Sequence, residues 1–499
     1  MNKKVALIIL DGFGMRRSQY FNAVKNAKTP YFDFLWKNFS HTLIKTKGEF
    51  VGLKKGQFGN SEVGHLNLGS GRIVKQNSTK ISDEISSGNF FNNKLLKNMI
   101  CDLKRKNASL HIFGLCSNGG VHSELDHLFA LLRFCKQENF YDVKIHFISD
   151  GRDTKPNSGI KFLQKLQNFI KKIKVGTIVS VCGRYYAMDR EKNYDRTDKF
   201  LKVLLNYESD YKFKAMKEVF EKSYGENVFD EFIKPSILSC GNFKVNSGDA
   251  ILCFNFRNDR ARQIFERLIE SGIKNLYSFI CYDEKFKGKV KTIFNEQSSK
   301  NCLSEVLSKN RKTQLRISET TKYAHVTYFF NLLNEKPFVG ENRIIIEGDK
   351  VSSFAEKPFM KTKEITEKII EETNKFKYDF VLVNFPNADM LGHTGNYEKT
   401  IESLEFLDKN LKVLVEDLRK KDYVVMLTAD HGNADIMRYD DGKVCTTHTT
   451  SDAPFIIVDD KKYNLIKNGK LACVSSTILN IMQIKPPKEF SEPSLIRND

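Results

Sequence analysis

At 499 residues and 57.6 kDa the chain exceeds one ordinary hydrophobic core, because single cores stop growing at about 250 to 300 residues, so two domains are expected. Lys and Arg number 80 against 61 Asp and Glu, a net charge of +19, but much of the excess is Lys spread along helical stretches such as KFLQKLQNFIKKIK, a solvated face and not a nucleic-acid groove. Ten cysteines without a CxxC pair argue against a disulfide framework or a cysteine zinc site, no segment reaches the ~20 apolar residues of a membrane span, and the apolar run of MNKKVALIILDG is too short for a signal sequence, so a cytoplasmic protein without a membrane partner is expected.

In chain order, residues 5–10 read as a buried strand, and TPYFDFLWKNF reads as the helix that follows it in a doubly wound sheet. GQFGNSEVGHLNLGSGR comes next. After the polar stretch KQNSTK, the runs LHIFGLC, VKIHFIS, GTIVSVC, AILCFNF and NLYSFICYD alternate with amphipathic helices. One of these is SELDHLFALLRFC, with Leu125, Leu128, Phe129, Leu132 and Cys135 on a single face. Polar sequence returns at NEQSSKN, and the strands after it end in acids and imidazoles. The tail IKPPKEFSEPSLIRND reads as a mobile end or a flap.

Asp11, Asp389 and His393, Asp430 and His431, and His448 each stand near an apolar run. In a parallel α/β sheet the ligand crevice lies outside the carboxyl ends of the strands, so such residues converge although distant in sequence. Asp389 and His393, four apart, share one face of a helical turn, whereas the adjacent Asp430 and His431 point differently, which suits two ions better than one. Carboxylate, imidazole and hydroxyl donors favour Mn²⁺ or Zn²⁺ over Ca²⁺, and manganese is preferred. Ser61 completes a two-metal phosphoryl-transfer centre. As an N-cap of SEVGHLN it would also face the positive end of a helix dipole, suited to a phosphoserine, and Gly59 and Gly64 permit close approach.

Because Asp11 and Ser61 must meet Asp389, Asp430 and His448, the expected architecture is α/β with two domains. A discontinuous metal-binding domain, 1–74 and 298–499, carries an inserted α/β domain, 75–297, with the two polar stretches as hinges. In the insert, His122, Arg152, Asp153, Arg184, Arg190, Arg257 and Arg260 each follow an expected strand. Five arginines in one crevice offer bidentate forks for carboxylate and phosphate, and Asp153 among them suits a proton acceptor from a substrate hydroxyl. A small anionic substrate fits this set better than nucleic acid.

The segments DGFG, GNSEVGHLNLGSGR, GGVHS, SDGRDT, RYYAMDR, FNFRNDRARQ, KYAHVTYFFN, ADMLGHTG and TADHGNAD, in this order, make the chain resemble the cofactor-independent phosphoglycerate mutases of the alkaline phosphatase superfamily. The resemblance implies an alkaline-phosphatase-like sheet for the discontinuous domain. It implies that Asp389, His393 and His448 hold one metal and Asp11, Ser61, Asp430 and His431 the other. The cations would be manganese, with Zn²⁺, Co²⁺ or Mg²⁺ as alternatives, and 2,3-bisphosphoglycerate would not be needed. It further implies that Ser61 is the phosphorylated nucleophile, that Lys322 lies near the phosphoryl group, and that the arginine set with His122, Asp153 and Lys322 binds phosphoglycerate. A cytoplasmic monomer interconverting 3- and 2-phosphoglycerate is the expectation. A metal-dependent phosphomonoesterase or phosphopentomutase is the nearest alternative, and a basic RNA-binding protein the alternative from another class. The chain departs from the family pattern at Thr321, Glu124, Lys155 and around 347–360.

Overall fold

Val5–Leu10 is buried throughout, which is why it needs no polar alternation: a parallel strand covered on both faces reads as continuous hydrophobe. The computed structural model describes residues 3–294 and 300–497 of the chain. The chain divides into two compact units, Met1–Lys75 with Gln297–Asp499, and Gln76–Glu296. The expected hinge in NEQSSKN falls largely on residues 295–299, outside the described residues.

The first unit is built on an eight-stranded sheet in the order Glu341–Ile346, Gln314–Glu319, Phe380–Phe385, Lys4–Leu10, Tyr423–Thr428, Ala453–Val458, Ser40–Lys45 and Gly469–Lys470. The first five of these strands are parallel, and Ala453–Val458 runs antiparallel to both its neighbours. The helix Tyr397–Lys420 lays Leu404, Leu407, Leu411, Leu414 and Leu418 into this core at spacings of three and four, and the Asn396 side chain caps it by accepting from Lys399 N–H. Its buried Asp408 accepts from the backbone N–H groups of Tyr31 at 2.9 Å and Phe32 at 2.8 Å. That carboxylate supplies the helix Pro30–Asn38 with the N-terminal acceptor that its own Thr29 does not provide.

The C-terminal tail is not the mobile end or flap expected. Leu495 is fully buried against Gly469, the Leu495 N–H donates to Thr477 Oγ1 at 2.8 Å, and Glu492 N–H donates to the Gly71 carbonyl at 3.1 Å. One apolar side chain and a set of backbone bonds outweigh the polar composition that suggested mobility.

The second unit has its own eight-stranded sheet, ordered Val290–Thr292, Leu276–Ser278, Ala250–Cys253, Leu110–Leu115, Val143–Ser149, Thr177–Gly183, Ser236–Leu238 and Tyr211–Phe213. The first six strands are parallel. The helix Leu125–Gln137 departs from the one-face reading: His127, Ala130, Leu131 and Phe134 are buried along with the expected stripe, because the helix is covered on more than its sheet side. A polar line crosses the sheet interior. His146 Nδ1 lies 2.8 Å from Ser180 Oγ, its Nε2 lies 3.1 Å from His111 Nδ1, and His111 Nε2 faces Asp249 at 3.6 Å.

Candidate metal centre and anion site

Five neighbouring strands of the first unit deliver one residue set to one edge. Asp11 follows Lys4–Leu10, Asp389 and His393 lie on the helix Asn387–Thr394 after Phe380–Phe385, and Asp430 and His431 follow Tyr423–Thr428. Lys322 follows Gln314–Glu319, and His448 precedes the antiparallel strand Ala453–Val458, whose start lies at the same edge. Ser61 opens the helix Ser61–Ser70, but it is not the cap: Asn60 is, accepting from Val63 N–H at 2.9 Å. The cap carboxamide satisfies the helix donors and leaves the serine hydroxyl directed at the acids.

Ser61 Oγ lies 2.9 Å from His431 Nε2, 3.2 Å from Asp11 Oδ1 and 2.5 Å from Lys322 Nζ. Lys322 Nζ also donates to Asp11 Oδ1 at 2.9 Å and to Asp389 Oδ2 at 2.6 Å. Asp389 Oδ1 is 3.2 Å from His393 Nε2 and 3.3 Å from His448 Nε2, and these two imidazole nitrogens are 3.1 Å apart. His431 Nε2 lies 3.3 Å from Asp11 Oδ1 and 3.9 Å from Asp389 Oδ1. Two donor groups therefore form, Asp389 with His431 and His448, and Asp11 with Asp430 and His431, and His431 belongs to both.

The electrostatics follow from burial among unlike charges. Burial pushes the Asp11 carboxyl up, but the Lys322 ammonium and His431 together hold the group well below the usual carboxylate range; Asp389 is likewise held down against burial, by Lys322 with His393, His448 and His431. Lys322 is pushed down by burial and further up by Asp11 and Asp389, so it stays charged. Burial lowers His431, yet Asp430 and Asp11 raise it to about 9. The residues fit divalent cations: nitrogen and oxygen donors converge, and the buried Asp430 Oδ2 has no hydrogen-bond partner among the described residues.

Sequence reasoning missed the residues that orient these donors. Asn384 Nδ2 donates to Asp11 Oδ2 at 2.7 Å and faces His65 Nε2 at 3.0 Å, while His65 Nδ1 contacts the Ser61 carbonyl at 2.8 Å. Asn433 Nδ2 donates to Asp389 Oδ1 at 2.8 Å. The available signal was a lone amide inside the apolar run VLVNF. Gly64 is required because a Cβ there would stand 2.7 Å from Asp430 Cβ.

In the second unit, His122, Arg152, Asp153, Arg257 and Arg260 lie in loops or turns after the strands Leu110–Leu115, Val143–Ser149 and Ala250–Cys253, Arg184 opens the short helix Arg184–Ala187 directly after Thr177–Gly183, and Arg190 follows that helix. Arg184 is buried and bridges Asp150 Oδ1 at 2.8 Å and Asp153 Oδ2 at 2.6 Å. Arg152 pairs with Glu231, and Asp259 accepts from Arg190. His122 is pushed down to about 4 by burial and by Arg184. Asp150, Asp259 and Glu231 were not singled out from the sequence, although Asp150 and Asp259 stand inside the motifs SDGRD and NFRNDR.

A model of the metalloenzyme superfamily matches residues 3–486. A curated 2,3-bisphosphoglycerate-independent phosphoglycerate mutase of Francisella philomiragia is 41% identical, covering 100% of this chain and 99% of its own length. One of Thermosynechococcus vestitus is 42% identical over 99% of this chain and 95% of its own. The crystal structure of Leishmania mexicana phosphoglycerate mutase at low cobalt concentration matches with a TM-score of 0.65 and 28% identity, covering 100% of this chain and 98% of that one. The chain thus belongs to the metalloenzyme superfamily and, within it, to the 2,3-bisphosphoglycerate-independent phosphoglycerate mutases.

Proposed function

We propose that Ser61 takes the phosphoryl group from 3-phosphoglycerate and returns it to the other hydroxyl of the retained glycerate. The chain then interconverts 3- and 2-phosphoglycerate in glycolysis and gluconeogenesis through a phosphoserine at a two-metal centre. The observation that carries this reading is the surroundings of Ser61 Oγ, with Lys322, His431 and Asp11 all within 3.2 Å. Asp389, His393 and His448 would hold one cation, and Asp11, Ser61, Asp430 and His431 the other. Such cations supply a lowered serine pKa and neutralise phosphoryl charge.

Lys322 is buried, charged and already in contact with the nucleophile, so its ammonium compensates phosphoryl charge without reorganisation. The start of the helix Ser61–Ser70 directs its dipole at the same atom. His122, Arg152, Arg184, Arg190, Arg257 and Arg260 bind and orient the glycerate, and Asp153, held at 2.6 Å by Arg184, receives the proton of the attacking substrate hydroxyl. In this division of labour the first unit carries the phosphoryl chemistry and the second holds the substrate.

The metal we favour is manganese, on the mixed oxygen and nitrogen donors, with zinc, magnesium and cobalt as alternatives. We read the chain as a cytoplasmic monomer that needs no 2,3-bisphosphoglycerate, nucleic acid or membrane. Its cysteines are unpaired, and no helix among the described residues is long and apolar enough to cross a bilayer.

The deciding experiment gives chelator-treated protein 3-phosphoglycerate with each metal in turn, without 2,3-bisphosphoglycerate. Both 2-phosphoglycerate and free phosphate are followed. Formation of 2-phosphoglycerate with little phosphate is expected; phosphate alone would identify a phosphatase on this scaffold, and no product with any metal would overturn the reading.

A further inference from the structure

Five arginines crowd the second unit's site, yet most of their charge is already matched. Arg184 meets Asp150 and Asp153, and Arg152 meets Glu231. Asp259 alone serves two, with Oδ2 2.8 Å from Arg190 Nη1 and Oδ1 3.0 Å from Arg257 Nε. Arg260 differs, since its Nη1 donates to the neutral carbonyl of Met188 at 3.0 Å. Four carboxylates thus pair with four of the five guanidinium groups, and the positive charge of Arg260 stands outside these pairs. His122 adds none near neutral pH, because burial and Arg184 keep it unprotonated.

Asp259 is also the most accessible of the four carboxylates, with 25% of its side chain exposed against 1%, 16% and 13% for Asp150, Asp153 and Glu231. The two arginines that it joins are about half exposed, so an arriving anion meets this carboxylate together with them. By taking one guanidinium on each oxygen, Asp259 ties the segment after Thr177–Gly183 to the loop after Ala250–Cys253.

We propose that Asp259 is a specificity-determining residue that matches the charge of this site to a singly charged hydroxy acid and discriminates against more highly charged anions. The proposal rests on the reading that this unit holds glycerate. Once the phosphoryl group is on Ser61, the species that must stay and turn is glycerate, with its single carboxylate. A site of five unmatched arginines would instead hold phosphorylated anions tightly and release product slowly. With Asp259 in place, a bisphosphorylated glycerate meets a carboxylate where it would need a cation.

The test compares the full-length, metal-loaded wild type with Asp259→Asn, measuring binding of D-glycerate and of 2,3-bisphosphoglycerate by calorimetry. Turnover of 3-phosphoglycerate is followed on the same preparations. The variant is expected to bind 2,3-bisphosphoglycerate about tenfold more tightly, with glycerate affinity moving by less than about threefold. Asp259→Glu should restore the wild-type ratio, and Asp259→Ser removes the same charge if the asparagine variant folds poorly. Unchanged or weaker binding of 2,3-bisphosphoglycerate in the charge-removing variants would overturn the role of Asp259. Loss of turnover in the wild type itself would instead count against the mutase reading, which the binding ratio does not depend on.

Discussion

Lys322 Nζ lies 2.6 Å from Asp389 Oδ2, a buried ion pair that links the segment after Gln314–Glu319 to the helix carrying His393. The same ammonium touches Ser61 Oγ, so in the proposed reaction it serves the nucleophile and the metal-binding acids together. Lys322→Met should lower kcat by about 10²- to 10³-fold, the usual cost of removing one preorganised donor, with a much smaller change in KM. Steady-state kinetics on metal-saturated protein provides the check, and a raised KM with kcat unchanged would assign Lys322 to substrate binding.

Removal of the proposed nucleophile should be more severe. Ser61→Ala is expected to reduce transfer to background while the protein still takes up divalent metal, because the remaining donors stay in place. Metal content by mass spectrometry and incorporation of labelled phosphate into protein separate the two effects. Undiminished turnover would remove Ser61 from the mechanism.

Gly64 offers a test of close packing behind Ser61. A methyl group there meets Asp430 Cβ at 2.7 Å and the Asp430 carbonyl oxygen at 2.8 Å, both closer than real Cβ contacts. Either the helix Ser61–Ser70 or Asp430 must move, so Gly64→Ala should weaken metal affinity by about 10- to 100-fold, as loss of ligand orientation does. Metal titration of the variant measures it directly.

Acid should destabilise the fold through buried imidazoles. His122 is pushed down to about 4 by burial and Arg184, His325 to about 3 by burial and His65, and His146 well below its ordinary value by burial beside His111. Below the ordinary imidazole value of about 6.5 the unfolded chain binds protons that the folded one refuses, so this contribution is complete above that pH and falls away as pH drops toward 4. For His122 alone the loss is on the order of 2 to 3 kcal/mol. Asp230, raised to about 6 by burial, acts in the opposite sense, as do Glu319, Asp408 and Asp435, but burial raises these carboxyls by less than it lowers the three imidazoles. The melting temperature of chelator-treated protein should therefore drop between about pH 7 and pH 5; a flat profile would contradict these assignments.

The C-terminal tail should matter for stability. Leu495→Ala empties a buried position against Gly469 and should cost about 2 to 5 kcal/mol in denaturant unfolding. KM for phosphoglycerate is expected to stay unchanged. A change in KM without a change in stability would restore the flap.

Much of this was legible from the sequence because catalytic groups in α/β sheets stand beside buried strands, and buried strands are easy to read: VALIIL before Asp11 and VVMLT before Asp430 are apolar throughout. Asp389 and His393 were readable from their spacing alone, since both lie on one helical turn. What escaped was set by tertiary contact. Asn60 displaces Ser61 as the cap by a single hydrogen bond, and Asn384 faces Asp11 only because their strands are neighbours. The tail was misread because one Leu in a polar stretch carries little weight in composition and much in packing. Asp259 was passed over because acids among arginines look like ordinary surface pairing until their shared partners are known.

The polar line His111, His146 and Ser180, ending at Asp249, bears on how the second sheet finds its pairing. Its strands are rich in Val, Ile, Leu and Phe, residues that pack tolerably in several alignments, so apolar burial by itself distinguishes them weakly. Sliding any one strand by a single residue turns its member of the line to the opposite face, and the partner left behind loses its hydrogen bond in the dry interior, a loss of about 1 to 3 kcal/mol at each step. Side chains with no place in the chemistry thereby act as a proofreading device for strand alignment, rejecting mispaired sheets that hydrophobic burial would accept.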